Sequence, residues 1–265
     1  LISSDSKFMF IVKSNAYGHG LKEIIKNLES YVDAFGVVRM EEAILVRKAT
    51  SKPILLMQGI YTEHEINIAR ENNIQVVIHK MSQFKFIGKD DNELGLWIKI
   101  NTGMNRLGLS HEELKKAYEN GIISSDSVLM THMACADNPD DPMNEMQINK
   151  FEKAFDIVER KTKRSICNSA CLMNFPQLSF DWVRSGIAAY GGESKSLNLK
   201  TAMTFRAPII SIRKIRKGER VGYGGRKKAS KDMRIAIVYA GYADGIPQTT
   251  IDGTKVFVND KQAVI

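Results

Sequence analysis

The sequence predicts an α/β fold followed by a mainly β region, and three observations carry that prediction. Short β-prone apolar runs alternate with segments of helical periodicity from Phe8 to Arg184. None of the turns after those runs carries a G-x-G-x-x-G signature, so eight strands with crossover segments fit a closed barrel better than a doubly wound open sheet. Beyond Tyr190, Gly191 and Gly192 the pattern changes to period two, punctuated by Gly218, Gly222, Gly224 and Gly225, and helical patterns cease.

The first strand, Phe8 to Val12, runs straight into Lys13 and the turn formers Ser14 and Asn15. Past Gly18, His19 and Gly20, the residues Leu21, Ile24, Ile25 and Leu28 recur at helical spacing as far as about Tyr31. A second strand, Ala34 to Val38, leads into MEEAILVRKA, whose early acidic and late basic residues suit a helix dipole. Further strands are expected at Ile54 to Met57, Ile74 to Ile78, Leu96 to Ile100, Val128 to His132, Ser165 to Asn168 and Trp182 to Arg184. A helix over Pro142 to Lys161 sets Ile148, Phe151, Phe155 and Val158 on one face. In the β region an apolar strand, Ile235 to Tyr239, precedes Tyr242. The boundary falls near Leu197 in the polar stretch ESKSLNLK, which gives a barrel over residues 1–197 and a β domain over 198–265.

A chain of 265 residues with 43% hydrophobic content buries a full core. No apolar run reaches the roughly 18 residues of a membrane span, and Leu1 and Ile2 do not make a signal peptide, so a cytoplasmic location is the default. Cys135, Cys167 and Cys171 are odd in number and form no CxxC pair or ligand-spaced cluster. Reduced thiols are expected, with neither a disulfide nor a metal site. The net charge of +8 resides in the β region, where thirteen Lys and Arg face five Asp and Glu from Met203 onward. Its densest run, SIRKIRKGER, alternates with isoleucines and lacks interleaved aromatics, which suits a solvated strand face rather than a nucleic-acid surface. The chain opens without Met and stops within an apolar run, so both ends are expected to be truncated.

Lys13 is the residue that most needs an explanation. In α/β folds ligands bind where strands end, and a lysine amine there is a candidate nucleophile toward a carbonyl cofactor. The alternative is a lysine that snorkels to solvent. Loops after the seventh and eighth barrel strands often hold a phosphate. Here they carry Asn168, Ser169 and Ala170, then Arg184, Ser185, Gly186 and Ile187, so a hydroxyl and a glycine exposing backbone N–H groups are at hand, although ordinary turn chemistry would use the same residues. Lys99 lies between Ile98 and Ile100, and Arg106 follows the Gly103 turn with a planar fork suited to a carboxylate or phenolic oxygen. His132 alone reads as a hydrogen-bonded core histidine, and Tyr242 alone as a packing residue.

The segment VKSNAYGHG strongly resembles the cofactor-lysine segment of bacterial alanine racemases. Those are pyridoxal-phosphate enzymes built on a (β/α)8 TIM-type barrel followed by a β domain. The similarity continues in order through KINTGMNRLG, THMACAD, NSA, VRSGIAAYG, GERVGYG and GYADG, and spans almost the whole chain.

The resemblance implies interconversion of L-alanine and D-alanine on pyridoxal 5'-phosphate, supplying D-alanine for the peptidoglycan of a bacterial cell wall. It casts Lys13 and Tyr242 as the two bases on opposite substrate faces, Tyr242 being lent by the partner in a homodimer with shared active sites. Lys13, Tyr17, His132, Asn168, Ser169, Arg184, Gly186 and Ile187 become cofactor-binding residues, with Arg184 at the pyridine nitrogen. Arg106 becomes a substrate-binding residue, held by Lys99, which is often carbamylated in the family. Relatives often carry aspartate where this chain has Asn101 and Arg where it has Gln248. It further implies that the opening segment and much of the C-terminal β domain are missing. Alternatives are a racemase of the same fold acting on lysine, serine or a broader set, and a non-enzymatic pyridoxal-phosphate-binding barrel. The latter lacks a β domain and its GYADG tyrosine.

Overall fold

The computed structural model describes residues 5–88, 94–192 and 199–265. Two compact units emerge, one ending at Met203 and one spanning Thr204–Ile265. The expected boundary at Leu197 lies outside the described residues.

The first unit is a nearly closed parallel barrel. Its strands are β1 (Lys7–Ile11), β2 (Ala34–Val37), β3 (Ile54–Leu56), β4 (Ile74–Ile78), β5 (Leu96–Lys99), β6 (Val128–Met130), β7 (Lys163–Ser165) and β8 (Trp182–Ser185). They lie in the order β7-β6-β5-β4-β3-β2-β1-β8, every pair parallel. Between β7 and β8 the seam is drawn together by the Arg184 N–H donating to Cys167 O at 3.0 Å and Ser165 Oγ donating to Trp182 O at 2.8 Å. A one-turn segment, α1 (Lys13–Tyr17), precedes α2 (Leu21–Leu28). Helices α3 (Met40–Arg47), α4 (Glu63–Glu71), α5 (His111–Glu119), α6 (Pro142–Ile157) and α7 (Ser169–Asn174) follow. Three helix starts are capped by side chains: Thr62 and Ser110 each accept an N–H from a glutamate three residues on, and Asp141 accepts the Met143 N–H across Pro142.

Strand periodicity divides the core in two. Phe10, Phe35, Val37, Ile54 and Ile98 pack outward with Ile66, Leu114 and Phe151 of the helices. Met9, Ile11, Leu55, Val77, Trp97, Val128, Met130 and Trp182 fill the interior. Trp97 and Trp182 meet at 5.5 Å between ring centroids. Two residues further along the same two strands stand Lys99 and Arg184, so period two lifts a cation from each strand above the indole layer, toward the C-terminal end of the barrel.

Several expected bounds are corrected. The seventh strand is Lys163–Ser165 rather than Ser165 to Asn168. Polar KRS forms it because Arg164 covers its charge over the rings of Phe155 and Phe180, at 4.5 and 3.7 Å. The sixth strand ends at Met130, so His132 lies beyond it; Thr131 donates its N–H to Ser165 O at 3.2 Å, and its hydroxyl meets Ile100 O and Thr102. Helix α6 ends at Ile157, where Glu159 and Arg160 take positive φ.

The second unit holds β9 (Ile209–Ile215), β10 (Arg220–Val221), β11 (Lys227–Lys228), β12 (Met233–Val238), β13 (Lys255–Val258) and β14 (Lys261–Val264), paired antiparallel as β12-β9, β10-β11 and β13-β14. The strand expected at Ile235 to Tyr239 is therefore Met233–Val238. Helical geometry does not vanish: short 3-10 turns occupy Tyr223–Gly225 and Tyr242–Asp244.

Candidate active site

Lys13 follows β1 by one residue and opens α1, a segment of the wrong hand. Ser14, Asn15, Ala16 and Tyr17 all take φ between 53° and 55°, a conformation that crowds Cβ against the following carbonyl. Several bonds hold it. The Ala16 N–H donates to Val12 O at 2.9 Å, Gly18 N–H to Ser14 O at 3.1 Å, and Gly20 N–H to Asn15 O at 3.1 Å. The Asn15 side chain accepts the Leu21 N–H at 2.8 Å, and Glu42 of α3 accepts the Ser14 N–H at 2.6 Å. Gly18, at φ 85°, ends the turn without Cβ cost. The effect is to leave Lys13 half-buried at the barrel mouth with its Nζ 5.7 Å over the Tyr17 ring.

Tyr17 leans on Tyr190, their rings 5.1 Å apart, and His19 stacks on the other ring at 4.4 Å. The Tyr190 hydroxyl donates to Ile11 O at 3.1 Å, pinning the segment after β8 to the end of β1. Burial raises the pKa of the Tyr17 phenol, so it is a hydrogen-bond donor at neutral pH.

Across the mouth, Asn168 caps α7 by accepting the Cys171 N–H at 3.0 Å and donates to Met133 O at 2.9 Å. Ser169 Oγ accepts the N–H groups of Gly186 and Ala188 at 3.1 and 3.3 Å and meets Ser185 Oγ at 3.2 Å. A β-carbon on Gly186 would fall 2.6 Å from the Tyr17 hydroxyl. Gly186 therefore keeps open a small cup walled by a serine hydroxyl, a phenol and backbone.

Arg184 is 4% exposed, with no carboxylate acting on it among the described residues. Its guanidinium donates to Ser165 O at 3.0 Å, Thr131 O at 2.6 Å, Ile166 O at 3.4 Å and Ser165 Oγ. Burial lowers its pKa to about 10, and it stays charged at neutral pH. Lys99 is buried, and its pKa falls to about 8 through desolvation and then repulsion by Arg184 and Arg106. His132 is driven to about 3 by burial and then by Arg184, Lys99, Arg106 and Lys13, so it is a neutral imidazole, with Asn168 Nδ2 at 3.4 Å from Nε2.

These groups share one cavity of about 630 Å³. Lys13, Tyr17, Lys99, Arg106, His132, Asn168, Ser169, Arg184, Gly186 and Ile187 all line it, and no Asp or Glu does among the described residues. Its charge calls for an anion. Of the candidate site residues, Tyr242 alone lies in the other unit, in an exposed 3-10 turn. The sequence did not reveal Tyr190 or Glu42. Tyr190 sits at the end of the VRSGIAAYG run and Glu42 at the acidic start of a helix, both places where such residues are ordinary.

No helix among the described residues is long and apolar enough to cross a membrane, and no cluster of three metal-ligating side chains occurs among them.

Comparison with known proteins gives a consistent result. Residues 1–194 match the family of the alanine racemase N-terminal domain, and residues 202–265 match that of the alanine racemase C-terminal domain. The alanine racemase of Vesicomyosocius okutanii is 40% identical over 265 residues, covering 97% of this chain and 74% of that protein. The alanine racemase structure from Acinetobacter baumannii superposes with a TM-score of 0.87 at 37% identity, covering 98% of this chain and 76% of that one. The alanine racemase from Bartonella henselae, solved with covalently bound pyridoxal phosphate, superposes at 0.84 with 25% identity, covering 98% and 75%. With both of its units matched in order, the chain belongs to the alanine racemase family, a family of isomerases.

Proposed function

We propose that this protein interconverts L- and D-alanine with pyridoxal 5'-phosphate in a bacterial cytoplasm, supplying D-alanine for peptidoglycan. The observation that carries this reading is the mouth cavity, in which Lys13, Lys99, Arg106 and Arg184 converge without a lining carboxylate beside the cup of Ser169, Gly186 and Tyr17. Such a site fits a phosphorylated aldehyde and an amino-acid carboxylate together.

When bound, pyridoxal phosphate supplies the electron-accepting ring that makes an amino acid's α-proton removable. The chain's own residues do the rest. Lys13 provides the amine that holds the cofactor. Ser169, Tyr17 and the backbone from Gly186 to Ile187 take the phosphate, with Asn168 fixing the loop. Arg184 keeps its proton and so offers only donors to the ring nitrogen. His132, neutral, stands beside Arg184 without adding charge. Arg106 takes the substrate carboxylate. Lys99, with its low pKa, is suited to carbamylation, which would give Arg106 an anionic partner. Lys13 moves the proton on one face of the substrate and Tyr242 on the other.

Tyr242 belongs to the second unit and is 68% exposed, which supports its delivery to a neighbouring subunit. On this reading the barrel up to about Leu197 binds the cofactor, and the β domain lends the second base.

Borohydride reduction of cofactor-loaded protein, followed by peptide mapping, tests the reading. Label on Lys13, with loss of the visible cofactor absorbance and of racemase activity in Lys13→Ala, is the expected result. Label on another lysine overturns it.

A further inference from the structure

Cys167 and Cys171 enclose the three residues Asn168 to Ala170, which form one wall of the mouth. The extended Asn168 and its side-chain cap on the Cys171 N–H fold Cys167 back over the first turn of α7. The two Sγ atoms come to 2.9 Å, and both residues are fully buried. Non-bonded heavy atoms rest about 3.5–4.0 Å apart, whereas bonded sulfurs lie about 2.05 Å apart. The pair is thus held inside thiol contact, less than about 1 Å from bonding distance. Cys135, half-buried and beside Met143 Sδ at 3.6 Å, stands apart from it.

We infer that Cys167 and Cys171 are a reversible disulfide site, closed by a small peroxide. The hydrogen bond to Cys167 and burial raise the Cys171 thiol pKa, and the contact places either sulfur to attack the other, Cys167 being taken here as the one oxidised first. Cys167 gives up its proton and attacks one peroxide oxygen; the O–O bond breaks, water departs, and a sulfenic acid remains. Cys171 then attacks that sulfur. An S–S bond forms, the S–O bond breaks, and the hydroxide leaves as a second water with the Cys171 proton. The two sulfurs lose two electrons together, and the peroxide gains them.

Closing the bond draws Asn168 to Ala170 inward. Ser169 Oγ is tied to the Gly186 and Ala188 N–H groups, so the displacement reaches the cup. This coupling to the cofactor rests on the reading of the site given above; the disulfide itself does not.

The test uses cofactor-loaded Cys135→Ser protein, in which Cys167 and Cys171 are the remaining thiols. After hydrogen peroxide and alkylation in denaturant, the peptide 165–184 should be lighter by two hydrogens, carry no alkyl group, and revert with dithiothreitol. Adding Cys167→Ser should abolish that species. Full alkylation of both cysteines, or a sulfinic acid without pairing, overturns the site. The oxidised and reduced forms should release pyridoxal phosphate at rates that differ severalfold; equal rates with the disulfide present overturn the coupling. Failure of the reduced protein to bind pyridoxal phosphate would count against the cofactor reading and leave the mass result standing.

Discussion

The Tyr17 hydroxyl stands 2.6 Å from where a β-carbon on Gly186 would lie. One methyl group at position 186 therefore competes with the phenol, and the phenol cannot slide freely because its ring rests on Tyr190. Gly186→Ala should weaken pyridoxal phosphate binding about tenfold, about 1.4 kcal/mol, with the barrel still folded. Fluorescence titration with the cofactor and circular dichroism check the two halves of that statement.

Arg184 should matter to the barrel as well as to the cofactor. Its guanidinium satisfies carbonyls of Thr131, Ser165 and Ile166 at the seam between β7 and β8, where the ladder is missing. Arg184→Leu strands the Thr131 and Ile166 acceptors, each costing about 1–3 kcal/mol when buried, while Ser165 O keeps the Thr131 N–H. Urea unfolding should show a loss of about 3 kcal/mol, and Arg184→Lys should fall between the two proteins.

His132 makes stability depend on acid. Its folded pKa of about 3 lies below the ordinary value of 6.5, so between those limits the unfolded chain binds more protons. Stability is retained above pH 6.5 and declines as the pH falls toward 3, with a slope approaching about 1.4 kcal/mol per pH unit. His132→Asn should flatten that part of a stability profile measured by denaturant titration.

Lys99 titrates in the opposite part of the scale. Its amine is half neutral at pH about 8, and the neutral form is the one that adds carbon dioxide. Isotope-labelled bicarbonate should yield a protein carbamate signal that grows as the pH rises through about 8 and is absent in Lys99→Arg. The resulting anion would turn the repulsion from Arg106 and Arg184 into attraction.

Tyr242→Phe removes an exposed hydroxyl and should leave the melting temperature unchanged. Racemase turnover should fall at least about 100-fold, the usual scale for losing a positioned acid–base group. Unaltered turnover in both directions would mean that another group serves that face.

Much of the barrel was legible because its strands are apolar runs separated by helical stretches. The ten barrel residues picked from the sequence share one cavity. Strand seven escaped because Lys163 and Arg164 disguise it; the apolar Ile166 and Cys167 beside it drew its end three residues too far. The adjacency of Cys167 and Cys171 was hidden too, since a four-residue spacing acquires meaning only once Asn168 caps the helix between them.

Nothing in KSNAY announces left-handedness, because four consecutive residues with side chains would each rather avoid it, at roughly 1–2 kcal/mol apiece. Transplanting VKSNAYGHG onto the rim of an unrelated barrel should therefore fail to reproduce the lysine's posture. Without Glu42 and Tyr190 to hold it, the grafted peptide would relax to the ordinary hand and swing its amine elsewhere. The reactive position is inherited from the scaffold as a whole, not from the nine letters that spell it.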